Sequence, residues 1–286
     1  MVVVVKNMKR SIRYLIPLFV VGSLVWIATQ RADFSLDGIL PPMIHEGMQE
    51  EPGEVISILQ QPYRFLGEGR QSFVFESEDK KTVLKFFNRK YFHVPWYSFI
   101  RPNELIKRKK RESFYIYSYS LAQKYLQKEA GLIYLHLGET KNLPNVRVID
   151  KANRVFSIPL NQVPFVLQRK GDPFYSTLER VQKNFGDQAL LSSLDSFLEI
   201  IAYRISQGIS DDDHDIEHNF GFLDGKPFHL DPGRLYLSDF SEEHNLEHEW
   251  WSATHALRKW LLQKHPEIVP LFDKKQKEKA LGKIDN

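Results

Sequence analysis

The sequence contains no cysteine, carries little net charge and shows no internal repeat or low-complexity block. The lack of cysteine excludes disulfides, zinc sites built on thiolates and a cysteine nucleophile. A net charge of +3 does not indicate nucleic-acid binding, which needs a clustered basic stripe, and the one basic run, Lys107–Arg111, is typical of a solvated helix face. With 42% hydrophobic and 13% aromatic residues, the 286-residue chain has enough apolar material for a buried core.

An uncharged, mostly apolar run extends from Tyr14 to Gln30 and follows several Lys and Arg residues. Such a run is at the lower limit of a membrane span, which needs about 17–25 residues. We expect a single transmembrane helix over residues 12–30, and therefore a single-pass membrane protein whose basic N-terminus stays in the cytoplasm. A cleaved signal peptide with export is the alternative, although the small residues that a cleavage site needs are missing before Ala28.

The rest of the chain is expected to fold as an α+β protein, because its strand patterns and helix patterns occur in separate runs. An antiparallel sheet of about five strands is predicted, with a long helical segment over 103–137 and a further helix over 187–206. The predicted organisation is a membrane anchor or signal segment (1–30), a linker (31–62), a sheet-rich part with a long helical insertion (63–170), a helical part (171–275) and a flexible tail (276–286).

Two glycines, Gly67 and Gly69, lie in a predicted hairpin turn, and Ser72 follows them. Glycines at such a turn allow the backbone to approach a phosphate closely, although a lone Gly-x-Gly more often marks an ordinary hairpin. Lys85 lies on the next predicted strand, between the apolar residues Leu84 and Phe86. A lysine in that position either extends outward to solvent or faces an anion held under the glycine turn.

This pattern resembles the protein-kinase-like superfamily. Gly67, Gly69 and Val74 match its glycine-rich loop, in which Ser72 replaces the third glycine, and Lys85 matches the lysine of the following strand. The resemblance implies a two-lobed protein-kinase-like fold, with an antiparallel sheet in the N-terminal lobe and a small helical C-terminal lobe, preceded here by the transmembrane helix. It also implies that ATP binds beneath the glycine-rich loop.

The acidic stretch that follows Gly208 supplies the remaining motifs. Counted from this glycine, the resemblance places the catalytic aspartate at Asp213, a metal-binding asparagine at Asn219 and a second metal ligand at Asp231. Asn219 and Asp231 also offer hard oxygen ligands for Mg²⁺ from the two ends of a short predicted hairpin. A solvated turn is the plainer alternative, and a calcium loop is weak because Phe222 stands where its glutamate is needed.

The chain departs from the family in its catalytic loop and in the partner of Lys85. The family aspartate precedes its asparagine by five residues, whereas the offsets here are six for Asp213 and four for Asp215, so either aspartate is eligible. For the acidic partner of Lys85, Glu112 and Glu129 both qualify. We prefer Glu129, because it lies nearer to the next predicted strand.

The resemblance implies an ATP- and Mg²⁺-dependent phosphotransferase that acts on a hydroxyl group of a protein or a small molecule. Its catalytic residues would be Asp213, Lys85 and Glu129. The part of the chain after Asp231 is short and has no Ala-Pro-Glu motif. These departures favour the alternative, a membrane-anchored pseudokinase that serves as a nucleotide-binding or protein-interaction module.

Overall fold

The structure, a computed structural model, describes residues 34–39, 53–92 and 102–281. Its N-terminal part contains, in chain order, α1 (Gly53–Leu59), β1 (Tyr63–Glu68), β2 (Ser72–Ser77), β3 (Thr82–Phe87), α2 (Arg89–Phe92), α3 (Pro102–Tyr125), β4 (Leu132–His136), β5 (Asn145–Ile149), β6 (Val155–Pro159) and β7 (Phe165–Arg169). Its C-terminal part contains β8 (Asp172–Pro173), α4 (Phe174–Phe185), α5 (Asp187–Ser206), β9 (Ile209–Asp211), α6 (Ile216–Asn219), β10 (Phe220–Leu223), β11 (Lys226–His229), β12 (Leu235–Leu237), α7 (Glu243–Lys264) and α8 (Val269–Leu281). The class is α+β, as the sequence predicts.

The first seven strands form one sheet in the order β4-β7-β3-β2-β1-β5-β6. Neighbouring strands are antiparallel except for β1 and β5, which run parallel. The sheet is therefore larger than expected and not wholly antiparallel. Every residue of β3 is buried, since strands cover both of its edges and apolar side chains cover both of its faces.

The helical segment predicted over 103–137 is too long. In the structure α3 ends at Tyr125, Gly131 adopts a φ of +58°, and Leu132–His136 form β4. A positive φ is open to glycine without steric cost, so the chain can reverse there and enter the sheet. The apolar residues of β4 fit a buried strand as well as a helix. They form a strand here because they pair with β7.

Three clusters of buried apolar side chains stabilise the fold. The first packs α1 against one face of the sheet, and the second packs α4, α5, α7 and α8 together. The third joins α3 to the other face of the sheet and to the β9–β12 pair, through residues such as Phe87, Tyr115, Val166, Ile209 and Leu235. Because this third cluster spans both parts, it fixes the acidic stretch relative to α3.

Two small sheets support the acidic stretch. β10 and β11 form a hairpin with Asp224-Gly225 at its tip, and β8 pairs with the other edge of β10. β9 pairs antiparallel with β12, which places Asp211 opposite Leu235. The chain thus leaves β9, passes through α6 and the hairpin, and returns beside β9. This path brings residues 211–219 next to residues 230–235.

Two predicted boundaries differ from the structure. The predicted linker contains α1, whose Val55 and Leu59 are buried against the sheet, so it is part of the folded unit. The predicted flexible tail begins too early, because α8 continues to Leu281. Lys275 and Lys279 of α8 lie 3.1 and 3.4 Å from carboxylate oxygens of Asp195 on α5, and these contacts attach the helix to the helical part.

The predicted transmembrane helix, and with it the single-pass membrane localisation, is corrected. Among the residues that the structure describes, no helix combines the length and the apolar character that crossing a bilayer requires. The longest described helix, α3, carries the basic run Lys107–Arg111 and is far too polar for hydrocarbon. Residues 12–30, on which the prediction was based, lie outside the described residues.

Candidate active site

Lys85 is a buried cation in the middle of the sheet. Its side chain is 5% exposed, and its Nζ donates a hydrogen bond of 2.8 Å to the carbonyl oxygen of Leu230, far away in sequence. Burial lowers the pKa of Lys85, and the nearby carboxylate of Asp231 opposes that effect. Lys85 therefore faces the segment that follows β11 and does not extend to solvent.

Asn219 and Asp231 meet at the base of the β10–β11 hairpin. The carbonyl oxygen of Asn219 accepts hydrogen bonds from the backbone N–H groups of Leu230, at 2.7 Å, and Asp231, at 3.3 Å. The side-chain amide of Asn219 donates to the carbonyl oxygen of Asp213 at 3.0 Å. The structure thus brings Lys85, Asn219 and Asp231 to one place, with Asp213 beside them.

The glycine-containing hairpin joins β1 to β2. The N–H of Gly69 donates to the carbonyl oxygen of Ser72 at 2.9 Å, and the strand register is irregular before Gly67. A Cβ at Gly67 would meet no atom within 4 Å, and one at Gly69 would meet only the Ser72 carbonyl oxygen, at 3.8 Å. Val74 lies directly across from Lys85. The hairpin therefore has an open backbone near the strand that carries the lysine.

The four aspartates of the acidic stretch have different environments. Asp211 is buried, with its Oδ2 3.3 Å from Nε2 of His229, and its carboxylate also accepts from the N–H of Asp213. Burial raises the pKa of Asp211, but the His229 ring and the other donors outweigh burial and leave it below the ordinary value. The Asp212 carboxylate lies 3.2 Å from Arg234 at the surface. A single solvated turn therefore does not describe the stretch.

Asp213 and Asp215 differ in how fully their carboxylates are engaged. Asp215 precedes α6, where its two oxygens accept from the backbone N–H of His218 at 3.4 Å and approach the His218 Nδ1 at 2.8 Å. One oxygen of Asp213 accepts from the N–H of Asp215, and the other lies 3.9 Å from Arg234. Asp215 thus serves as a helix cap, while Asp213 keeps an oxygen with only a distant partner.

Neither predicted acidic partner of Lys85, Glu112 or Glu129, forms an ion pair with it. Glu112 lies on α3 beside Lys109, and burial raises the pKa of Glu112, an effect that Lys109 opposes. Glu129 lies in the turn before Gly131, where its carbonyl oxygen accepts from the N–H of His229 at 2.8 Å. In the described part of the chain, the charge that acts on Lys85 is the carboxylate of Asp231.

The face of α3 toward the site carries hydroxyl groups. Tyr119 is fully buried and donates a hydrogen bond of 3.1 Å to Asp231 Oδ1, and Ser118 donates one of 2.5 Å to the carbonyl oxygen of Pro232. Burial and the Asp231 charge raise the pKa of Tyr119 well above its ordinary value, so the phenol remains a donor. Tyr115 packs against Gly233, where an added Cβ would lie 2.3 Å from its ring.

The apolar pattern of the sequence does not reveal these α3 residues. The apolar spacing of the sequence predicts one helical face made of Ile106, Phe114, Tyr117, Leu121, Tyr125 and Leu126. Leu121 and Leu126 are buried, whereas Tyr117 is 41% exposed and Ile106 is 53% exposed. Tyr115, Ser118, Tyr119 and Ala122 are also buried, and they follow the i, i+3, i+4 pattern of one helical face. The sequence offers no local signal for this face, because the burial of Ser118 depends on tertiary contacts.

A second buried group of charges lies beneath the loop. Arg204 on α5 is 2% exposed and lies 2.7 Å from a carboxylate oxygen of Glu249 on α7. Glu249 also accepts a short hydrogen bond from Ser210 and a longer one, of 3.4 Å, from the N–H of Asp211. This group links both helices to β9, directly before Asp213. Sequence periodicity gave no indication of it, because a buried ion pair between distant helices leaves no local pattern.

A cavity of about 350 Å³ lies elsewhere, between α7 and α8. Its lining includes Leu246, Trp250 and Trp251 and none of the residues described above. This cavity therefore does not mark the site, and the convergence of charged and polar groups at Lys85 is the stronger indicator of chemistry.

No protein-family model matches the chain, and no curated protein matches it. Among solved structures, the chain is similar to WbdD in a co-crystal with the kinase inhibitor LY294002, at 16% identity and a TM-score of 0.38, covering 74% of this chain and 45% of that one. It is also similar to a structure of WbdD described as a bifunctional kinase-methyltransferase, at 15% identity and a TM-score of 0.37, covering 72% and 43%. A structure of monomeric WbdD is similar at 18% identity and a TM-score of 0.36, covering 71% of this chain and 45% of that one. The chain thus spans less than half the length of these proteins.

We predict that Glu249→Ala lowers the free energy of unfolding by about 3–5 kcal/mol, because it leaves the buried Arg204 guanidinium without its principal partner. Urea denaturation of both proteins measures the difference. The matched control is Glu247→Ala on the exposed face of the same helix, which should change the free energy by no more than about 0.5 kcal/mol. Equal losses from the two variants would contradict the role given to Glu249.

We also predict that His218 titrates above its ordinary pKa, because its Nδ1 is hydrogen-bonded to the Asp215 carboxylate, and that Asp215→Asn lowers this pKa. An NMR titration of the imidazole protons in metal-free buffer measures both values. If the pKa of His218 is the same in the two proteins, the Asp215 carboxylate does not hold the His218 ring, and the distinction drawn between Asp213 and Asp215 is wrong.

Proposed function

We propose that this chain is a protein-kinase-like phosphotransferase that uses ATP and Mg²⁺ and acts on a hydroxyl group of a protein or a small molecule. The observation that carries the proposal is the convergence of a buried lysine from β3 with an asparagine and an aspartate from the two ends of the β10–β11 hairpin. Burying an ammonium group away from water costs several kcal/mol unless it is compensated. A fold that retains such a group beside potential metal ligands is suited to bind an anion together with a metal.

The residues present fit Mg²⁺ bound through phosphates. Within the described ranges, no group of three or more His, Asp or Glu side chains is arranged to hold a metal by itself. Mg²⁺ commonly takes only one or two protein carboxylates and completes its shell with substrate phosphates and water. Asp231 would supply its Oδ2, since Oδ1 accepts from Tyr119, and Asn219 would supply its amide oxygen, since its nitrogen donates to Asp213.

The residues also fit a nucleotide triphosphate. The open backbone at Gly67 and Gly69 leaves room for phosphate oxygens near the strand that carries Lys85. Lys85 would exchange its hydrogen bond with the Leu230 carbonyl oxygen for an interaction with a phosphate oxygen. Mg·ATP would supply the phosphoryl group, and the chain would position it and balance its charge.

Asp213 is the proposed base. It follows β9 and is anchored through its carbonyl oxygen to Asn219, so it is held next to the proposed metal ligands. Its side chain is 42% exposed, and an acceptor hydroxyl can reach it. A partly exposed carboxylate in hydrogen-bond reach of an alcohol orients that alcohol and accepts its proton as the bond to phosphorus forms.

One observation favours the second candidate, a pseudokinase that binds nucleotide without transferring phosphate. Lys85 makes no ion pair with Glu112 or Glu129, and the α3 face toward it offers hydroxyl groups in the place of a carboxylate. A lysine without that acidic partner can still bind phosphates, but its position is less constrained. The experiment below separates the two candidates.

We predict different failures for the two aspartates. Asp231→Asn should abolish or strongly weaken metal-dependent nucleotide binding, because it removes a carboxylate from the metal. Asp213→Asn should leave nucleotide affinity nearly unchanged and lower turnover by about 10²–10⁴-fold, the usual range for the loss of a general base. Calorimetric titration with Mg·ATP measures the affinity, and release or transfer of the labelled terminal phosphate measures turnover.

The matched control is Asp215→Asn, which should leave turnover within a few-fold of the wild type because Asp215 caps α6. If Asp215→Asn is damaging and Asp213→Asn is silent, Asp215 is the base. If Mg·ATP binds but the wild type releases or transfers no phosphate above background, the protein is a pseudokinase. If Mg·ATP does not bind to the wild type, the proposed function is wrong.

A further inference from the structure

The segment Asp231-Pro232-Gly233 is attached to one face of α3 at three successive points. Tyr119 donates to the side chain of Asp231, and Ser118 donates to the carbonyl oxygen of Pro232. Ser118 also accepts from the N–H of Leu235 at 2.5 Å, and the ring of Tyr115 occupies the space that a side chain at position 233 would need. Two of these contacts hold the backbone, and only that of Tyr119 holds the carboxylate.

The contact of Tyr119 determines which oxygen of Asp231 is available. Its phenol donates to Oδ1 at 3.1 Å and is itself fully buried within the cluster of Phe87 and Tyr115, so its position is set by packing. A carboxylate with one oxygen held by a rigid donor cannot rotate freely about its Cβ–Cγ bond. The second oxygen is then directed away from α3.

The position of Lys85 makes this orientation more important. Lys85 makes its hydrogen bond to Leu230, the residue before Asp231, and draws its charge compensation from the Asp231 carboxylate. Without the Tyr119 donor, both oxygens of Asp231 would be free to turn toward the ammonium group. The phenol therefore competes with Lys85 for the orientation of the same carboxylate.

We propose that Tyr119 is a positioning residue, which holds Asp231 Oδ1 and so presents Oδ2 to a divalent metal ion. This inference rests on the proposed function, because it assumes that Asp231 is a metal ligand. Groups that hydrogen-bond to metal ligands typically contribute about 10–100-fold to metal affinity. Tyr119 would have that effect without touching the metal, the nucleotide or the acceptor.

The test is Tyr119→Phe in the full chain, with Tyr117→Phe as the matched control. Tyr117 lies on the same helix but is exposed, so its variant loses a hydroxyl of the same kind away from the site. The half-saturating concentration of Mg²⁺ at fixed ATP should rise by about 10–100-fold in Tyr119→Phe and stay unchanged in Tyr117→Phe. Calorimetry measures it, and the paramagnetic resonance of bound Mn²⁺ gives a signature that does not depend on activity.

A second variant separates orientation from general loosening. Ser118→Ala removes the bonds to Pro232 and to the N–H of Leu235 and leaves the Asp231–Tyr119 contact in place. It should lower the melting temperature at least as much as Tyr119→Phe does, with less than a three-fold change in the Mg²⁺ requirement. Tyr119→Phe keeps the ring and its packing, so its melting temperature without metal should stay close to that of the wild type.

Each remaining outcome has a distinct meaning. If Tyr119→Phe binds metal as well as the wild type while Asp231→Asn does not, the positioning inference is wrong and the proposed function stands. If Ser118→Ala weakens metal binding as much as Tyr119→Phe, loosening of the segment explains the loss, and the inference is again wrong. If the wild type binds neither Mg·ATP nor Mn·ATP, both the inference and the proposed function are wrong.

Discussion

The burial of Lys85 is the constraint on which the rest of the site depends. An ammonium group in the middle of an apolar strand is strongly unfavourable unless hydrogen-bond acceptors and negative charges from elsewhere compensate it. Here the compensation comes from the Leu230 carbonyl oxygen, which also accepts from the side chain of Gln168 at 3.0 Å, and from Asp231. The sheet and the β10–β11 hairpin must therefore dock in one register, because a shift of the hairpin would leave the cation buried without a partner.

A second buried charge group fixes the other side of the same loop. Arg204 and Glu249 join the end of α5 to α7, and Glu249 accepts from both Ser210 and Asp211 in β9. Asp213 follows these residues directly, and its N–H is held by the Asp211 side chain. The start of the loop is thus anchored by one ion pair, and the amide of Asn219 holds the carbonyl oxygen of Asp213 further on. Under the proposed function, this anchoring would suit Asp213 as the base, since little ordering would be left for the moment of reaction.

The sequence predicted the parts of this site that depend on local pattern and missed those that depend on tertiary contact. The class, the helix from Asp187 to Ser206 and the hairpin tip at Asp224-Gly225 all follow from periodicity and turn residues. The strand β4 was misread as helix, because a short apolar run fits both periods until its pairing partner is known. The buried face of α3 and the Arg204–Glu249 pair could not be predicted, because the sequence does not show which side of a polar helix the rest of the chain covers.

The use of hydroxyl groups on α3 also changes the charge balance around Lys85. A carboxylate on that helix would neutralise the lysine permanently, whereas Tyr119 and Ser118 contribute no charge, so Asp231 is the compensating anion. Under the proposed function, a divalent cation on Asp231 would withdraw that compensation and leave two unpaired positive centres close together. Phosphate oxygens would then have to supply the missing negative charge to both. Metal and nucleotide are therefore expected to bind together, and each is expected to bind weakly without the other. This coupling follows because Ser118 and Tyr119 on α3 carry no charge.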